Sequence, residues 1–600
     1  MRLLLRLDPT RSRPRPVSRQ HLLVVLIVAL FAAVASVAPA TATATATSTS
    51  PAKTRIAANG LAELDYLKPV VTCADVLGMH VTDDNGDAVK FSASTAVTTG
   101  TTQPYCKVTG TIAPANQFEI HLPLNGWSQR YVQTGCGGLC GSVNVNVTQG
   151  ATCPLVVDGS LVTAATDMGH EGGNDGSWAL NNPQAVIDFA YRSQHVLSIV
   201  TKKVIKKFYG KAPAYSYFDG CSDGGREALM EAQRYPDDFD GIAAGAPANN
   251  MAVQNTIHHA WNVLTNLDSS GKFILLADKL PIIHAAVLAK CDGIDGVKDG
   301  LLQNPTQCNF DPYSLVCAKG QTANCLTKAE AGVVWRLHNG ATDKKGTRLE
   351  PAIAHEWGSE LDWTLFVPSA QGQTPMSANF ALSYLRYLVD PNNQNPNLQL
   401  TDFKFTTQEF WKAVQSSSYE ASLDPNLTGF QASGGKLLLW HGWEDQHISP
   451  QNTLAYYDAV KKTMGTVRAN SFVKLYLFPG VAHCGGGEGP NQFDVLTPVM
   501  AWTESGRTPT KIIASRIDQT SGAVTMTRPV YPYPQQVRWT GKGSTNDAKN
   551  FVAYTPRVLT GTDYRWVGQR LFSEGYQTTC TVDGVSLVCR PKSTWLTRQV

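Results

Sequence analysis

Five residues constrain this chain more than any others. Gly220-Cys221-Ser222-Asp223-Gly224 follows a strand-like stretch, Ala214-Tyr215-Ser216-Tyr217-Phe218, and precedes a helix-like one from Gly225 to Ala232. A G-x-S-x-G element in that setting predicts a nucleophile elbow, with the serine on a tight strand-to-helix turn. Glycines are needed on either side because a Cβ there would clash, and the following helix N-terminus favours negative charge. The surrounding sequence fits a sheet flanked by helices. Apolar runs at Arg130-Tyr131-Val132-Gln133 and Leu161-Val162-Thr163-Ala164-Ala165 alternate with a helical pattern from Pro183 to Tyr209, which predicts an α/β fold.

An elbow of this kind requires an acid and then a histidine, each just after a later strand. The strand-like Gly435-Lys436-Leu437-Leu438-Leu439-Trp440 ends in His441-Gly442-Trp443-Glu444-Asp445, and the strand-like run from Phe472 to Phe478 ends in Pro479-Gly480-Val481-Ala482-His483-Cys484. Asp445 is therefore the candidate acid, with Glu444 as its rival, and His483 the candidate base. His441 and His447 are alternatives, but only His483 follows the later strand. Cys221 adjoins Ser222 and Cys484 adjoins His483. A disulfide between them would hold their Cα atoms about 4.4–6.8 Å apart and tether nucleophile to base.

Residues 1–45 have the pattern of an export signal: an Arg-rich start, an apolar run from about Leu22 to Val37, then Ala/Thr repeats with A-x-A cleavage options. The competing expectation is an uncleaved N-terminal anchor. That segment also distorts the charge balance, because it holds six Arg and one Asp; without it the formal net charge of +3 becomes −2. A near-neutral mature chain gives no reason to expect nucleic acid or an anionic membrane as partner. All thirteen Cys lie after the segment, and an exported chain rich in Cys should carry disulfides. Spacing suggests Cys291 with Cys308, Cys317 with Cys325, and Cys580 with Cys589. Cys73 and Cys106 are also expected to be bonded, and the unpaired thiol is expected among Cys136, Cys140 and Cys153.

Between about 248 and 430 the sequence changes character, with Trp residues scattered among polar loops before strand-like patterns resume. The expected organisation is an α/β domain over 46–247 and 431–555, an inserted segment over 248–430, and an extension over 556–600.

The paired Cys221-Ser222 and His483-Cys484, with Asp445 between them, resemble the tannase and feruloyl esterase family of α/β-hydrolases, which also includes an esterase acting on mono(2-hydroxyethyl) terephthalate. Ala165-Thr166-Asp167-Met168-Gly169-His170, the stretch Gly241 to Pro247, and Gly434-Gly435-Lys436 ahead of His441-Gly442-Trp443 match as well, so the resemblance covers roughly residues 66–555. It implies an α/β-hydrolase fold with a large inserted lid, acting on small aromatic esters, free or attached to polysaccharide or polyphenol. The enzyme would be secreted or periplasmic, and not membrane-bound once the signal is removed.

An oxyanion hole would use the N–H of Asp223 and, by resemblance, that of Gly138 in the Gly135–Gly141 loop. The lid's Cys291-Asp292-Gly293-Ile294-Asp295-Gly296-Val297-Lys298-Asp299-Gly300-Leu301 stretch could equally be two Asp-Gly turns by spacing alone. The resemblance implies a structural Ca²⁺ there, held by the carboxylates of Asp292, Asp295 and Asp299 and the carbonyls of Val297 and Leu301, within a Cys291–Cys308 bridge. No H-x-x-x-H motif suggests catalytic zinc. Of the lid aromatics Trp357, Trp363, Phe366, Phe380, Tyr384, Tyr387, Phe410 and Trp411, most are expected to build the lid's own core.

Overall fold

The computed structural model describes residues 55–351, 353–560 and 565–592. The export signal expected over 1–45 lies outside the described residues.

Nine strands form the main sheet: β1 (Lys90–Val97), β2 (Tyr105–Ile112), β3 (Asn116–Pro123), β4 (Arg130–Thr134), β5 (Val162–Thr166), β6 (Tyr215–Cys221), β7 (Gly241–Gly245), β8 (Lys436–Gly442) and β9 (Val473–Phe478). Their order is β1-β2-β3-β5-β4-β6-β7-β8-β9. Pairing is antiparallel from β1 through β5 and parallel from β5 to β9.

The two halves of the sheet read differently in sequence for a physical reason. β2 alternates half-buried and buried positions, as an antiparallel strand with one wetter face does. β4 and β7 are buried at every residue, and β8 at all but its first, because helices cover both faces of a parallel sheet. Alternate residues therefore enter different cores. Ile242, Ala244, Leu437 and Leu439 join the core that holds Leu229 of the helix Asp223–Arg234 and Leu454 of the helix Pro450–Met464. Ala243, Leu438 and Trp440 pack with the helix Leu496–Ser505 on the other face.

β7 and β8 are neighbours although residues 246–435 intervene. This intervening segment has apolar clusters of its own. Trp357, Trp363 and Phe366 pack with the helices Leu280–Cys291 and Lys328–Asn339. Phe410, with Trp411 against it, packs with Leu385 of the helix Met376–Tyr387. The second cluster also takes in Trp566, Leu571 and Tyr576, so described residues beyond 565 share a core with the inserted segment. Beyond it, Thr578–Asp583 and Ser586–Pro591 form a hairpin in which Cys580 faces Cys589 across a disulfide.

The Pro183–Tyr209 pattern is not one uniform helix. Pro183–Ile187 is helical, Asp188–Arg192 widens into a π turn, and Ser193–Tyr209 is α-helical. Arg226 donates to the carbonyls of Ala190 at 2.6 Å and Phe189 at 3.0 Å within that turn. A buried guanidinium thus satisfies acceptors there and ties the turn to the elbow.

Candidate active site

β6 ends at Cys221 and the helix Asp223–Arg234 begins two residues later, which leaves Ser222 alone at the turn. Its backbone sits at φ 66° and ψ −122°, a strained conformation for a residue with a Cβ and the kind that concentrates at active sites. The crossing of strand and helix is tight. A Cβ on Gly220 would collide with the backbone of Gly224, and one on Gly224 would press on the Gly135–Cys136 backbone at about 3 Å.

Ser222, His483 and Asp445 form a continuous hydrogen-bonded chain. His483 Nε2 lies 2.9 Å from Ser222 Oγ, and His483 Nδ1 lies 2.8 Å from Asp445 Oδ2. The second oxygen of Asp445 accepts the N–H groups of His447 and Ile448, both at 2.8 Å. Burial by itself would raise the Asp445 pKa. The charge of His483 and the hydrogen bonds from His441 and His483 outweigh it and hold the carboxyl well below the usual range. Asp445 is therefore a fixed anion that orients the ring. Glu444 differs: burial, followed by the nearby Asp362 and Glu488, drives its pKa well above normal. His441 is buried behind the acid, bonded to Thr453 Oγ1 at 2.8 Å and the Ile448 carbonyl at 3.0 Å.

Cys221 and Cys484 are bonded, with Cα atoms 5.9 Å apart. The other bridges are Cys73–Cys106, Cys136–Cys140, Cys291–Cys308, Cys317–Cys325 and Cys580–Cys589, which leaves Cys153 as the buried free thiol.

Gly138 lines the same cleft as Ser222. It has φ 65°, and a Cβ there would run into Asn174 Oδ1, so only glycine suits the position. Its loop is braced from the segment after β5: Leu139 N–H donates to the Gly173 carbonyl at 3.1 Å, and Gly141 N–H to that of Asp167 at 3.1 Å. His170 Nε2 meets the Leu139 carbonyl at 2.7 Å, while its ring stacks on Trp178 at 3.7 Å. Among the described residues, the N–H groups of Gly138 and Asp223 have no protein acceptor, as donors reserved for an oxyanion would.

The cleft has about 370 Å³ of room. Besides the residues above, it is lined by Leu365, Met376 and Phe380 from the lid, by Asn144, Asn146 and Thr148, and by Asn174, Gln446 and His447. Of the lid aromatics singled out in the sequence, Phe380 alone is in this lining. No Lys or Arg is among the lining residues. His447 stands 4.6 Å from His483 and 4.7 Å from Phe380, ring to ring. Burial and the nearby His483 charge push its pKa well below normal, so it stays neutral beside the base.

The aspartates of the Cys291–Leu301 stretch are not in the cleft lining. Asp292 Oδ1 accepts the N–H groups of Asp299 and Gly300 at 3.1 Å, and Asp295 Oδ1 accepts that of Val297 at 2.9 Å. Asp299 also pairs with Arg528. Asp295 Oδ2 and Asp299 Oδ1 are buried with no hydrogen-bond partner. Burial raises the pKa of both carboxyls, that of Asp295 to about 6. Orphaned carboxylate oxygens in a turn-rich loop fit a hard cation.

A family model described as tannase and feruloyl esterase matches residues 97–554. The mono(2-hydroxyethyl) terephthalate hydrolase of Piscinibacter sakaiensis is 31% identical over 552 residues, covering 79% of this chain and 91% of that one. Feruloyl esterase B from Aspergillus oryzae superimposes with a TM-score of 0.68 at 28% identity, over 79% of this chain and 97% of that one. Tannin acyl hydrolase from Aspergillus niger, at 22% identity, shares the fold with a TM-score of 0.67, over 81% of this chain and 95% of that one. The chain is a carboxylic ester hydrolase with the α/β-hydrolase fold, and it belongs to the tannase and feruloyl esterase family.

Proposed function

We propose that this protein is an exported serine esterase that cleaves esters of phenolic acids, hydroxycinnamic acids such as ferulic acid above all. The observation that carries the proposal is the hydrogen-bonded Ser222–His483–Asp445 chain opening into a cleft with an apolar lid face. His483 Nε2 takes the Ser222 proton as Oγ bonds to the ester carbonyl carbon, and the resulting oxyanion accepts from the Gly138 and Asp223 N–H groups. Collapse expels the alcohol, which takes its proton from His483. Water activated by the same ring then releases the acid and restores Ser222. Asp445 stays ionised throughout and stabilises the imidazolium.

Leu365, Met376 and Phe380 suit an aromatic acyl ring, while Asn174, Gln446 and neutral His447 suit its hydroxyl or methoxy groups. Galloyl esters, with more ring hydroxyls, are the second choice. A terephthalate monoester carries a free carboxylate, and no Lys or Arg lines the cleft to meet it, so it ranks third. An intact triad counts against an inactive binding module. The export-like N-terminus and the six disulfides of the described residues support a secreted or periplasmic enzyme. No helix of the described residues is long and apolar enough to cross a membrane. Asp292, Asp295 and Asp299, with the carbonyls of Val297 and Leu301, would hold Ca²⁺, whose contribution is to cross-link the lid loop.

The test is initial rates on methyl ferulate, methyl gallate, mono(2-hydroxyethyl) terephthalate and p-nitrophenyl butyrate, with wild type and Ser222→Ala. The expected ranking is ferulate, then gallate, then the terephthalate monoester, with every rate lost in the variant. Turnover of the butyrate ester alone would replace this proposal with a general carboxylesterase.

A further inference from the structure

One charged side chain in the cleft has no task in the mechanism. Among the described residues, Asp219 is the single Asp, Glu, Lys or Arg of the lining. It stands on β6 two residues before Cys221, so the two side chains share a face of the strand. Its register partners are Thr134 on β4 and Ala243 on β7. Ala243 belongs to the core against which Cys221 and Cys484 pack. Asp219 therefore lies on the side of the cleft that holds the Cys221–Cys484 bridge and, next to it, His483.

Asp219 is only 5% exposed, yet its carboxyl meets no hydrogen-bond donor of the described residues. Asp494 nearby is satisfied: its Oδ1 accepts the Thr497 N–H at 2.9 Å and its Oδ2 the Thr497 hydroxyl at 2.6 Å. Burial, and then the charge of Asp494, raise the Asp219 pKa to about 7. The Cys153 thiol near Asp494 has its pKa lifted to about 11 by burial, so it stays neutral and supplies no counter-charge. A buried carboxylate is costly unless paired. The lining offers Asp219 no Lys or Arg, so its complement has to come from a ligand. The departing alcohol takes its proton from His483, which places the alcohol half of the ester on that side. A cationic group there would face Asp219, with Asp494 adding to the attraction. An anionic group would face two carboxylates.

We propose that Asp219 selects the leaving alcohol by charge: the cleft prefers phenolic-acid esters of alcohols that carry an ammonium group over uncharged esters of the same shape. This rests on the aromatic-esterase function proposed above and concerns the other half of the substrate.

The experiment compares kcat/KM on feruloylcholine with kcat/KM on 3,3-dimethylbutyl ferulate, its uncharged isostere. Each value is divided by that ester's rate of hydroxide hydrolysis, which removes their difference in intrinsic reactivity. The assay is run at about pH 8.5, where Asp219 is ionised. Wild type should favour the choline ester about tenfold, as opposite charges several ångströms apart in a partly wet cleft would give. In Asp219→Asn the ratio should fall toward unity. Added salt should weaken the wild-type preference, a readout that needs no variant. A wild-type ratio near unity, a preference indifferent to salt, or equal ratios in wild type and Asp219→Asn overturns the charge selection and leaves the aromatic esterase standing. If wild type cleaves p-nitrophenyl butyrate but neither ferulate ester, the aromatic function fails and this substrate class with it.

Discussion

That Ser222, Asp445 and His483 would come together was legible because each expected role demands a local pattern: glycines around the serine, and an acid or base just after a strand. The neighbours that complete the site carry no such mark. Gln446, whose Oε1 accepts the His483 N–H at 3.2 Å, and His447 follow the acid directly, yet nothing in the sequence separates a cleft residue from a buried one there. Arg226 is harder still, since its task depends on a π turn more than thirty residues earlier in the chain. His284 was not singled out either. In the lid helix Leu280–Cys291 it pairs through Nδ1 with Glu360 at 2.9 Å and through Nε2 with Glu488 at 2.8 Å. Burial favours the neutral ring, but the hydrogen bonds and charges of the two glutamates outweigh it and raise the pKa from 6.5 to about 10. A raised folded-state pKa means stabilisation that is complete below 6.5 and lost as pH rises through about 10. Thermal unfolding followed across that interval should show Tm falling as pH rises, and His284→Gln should flatten this dependence. An identical slope in wild type and variant would show that the His284 pair does not couple the lid to the Glu488 loop.

At the scale of elements, the central strands were readable because parallel strands buried on both faces become short continuous apolar runs, as in β8. Their limits were less so. β6 continues through Cys221, because Gly220 and Cys221 pair with Ala244 and Gly245 of β7, a partner invisible in local sequence. The Asp292–Leu301 loop shows a similar limit: spacing alone allowed two Asp-Gly turns or a cation site. Its orphaned Asp295 and Asp299 oxygens make a direct prediction. Chelation should lower the Tm of the full chain, added Ca²⁺ should restore it, and Asp295→Asn should reduce the response to both. A wild-type Tm indifferent to chelator and to Ca²⁺ would mean that Arg528 alone balances these aspartates.

Across the whole molecule, the inserted segment separates the two halves of the site in sequence, and the fold rejoins them by placing β8 beside β7 and by closing Cys221–Cys484 over a sequence separation of 263. A cross-link over so long a loop restricts the unfolded chain by on the order of 5 kcal/mol in the chain-entropy account. Its more specific effect is to fix Ser222 and His483 side by side whatever the lid does. In the proposed mechanism one serine, covalently tethered to its own base, carries the reaction. Labelling the intact protein with a fluorophosphonate and mapping its peptides without reduction tests this most directly. A single adduct is expected, on Ser222, in a peptide joined through Cys221 to the Cys484 peptide that carries His483. An adduct on a different serine, or a labelled Ser222 peptide free of the Cys484 peptide, would contradict it.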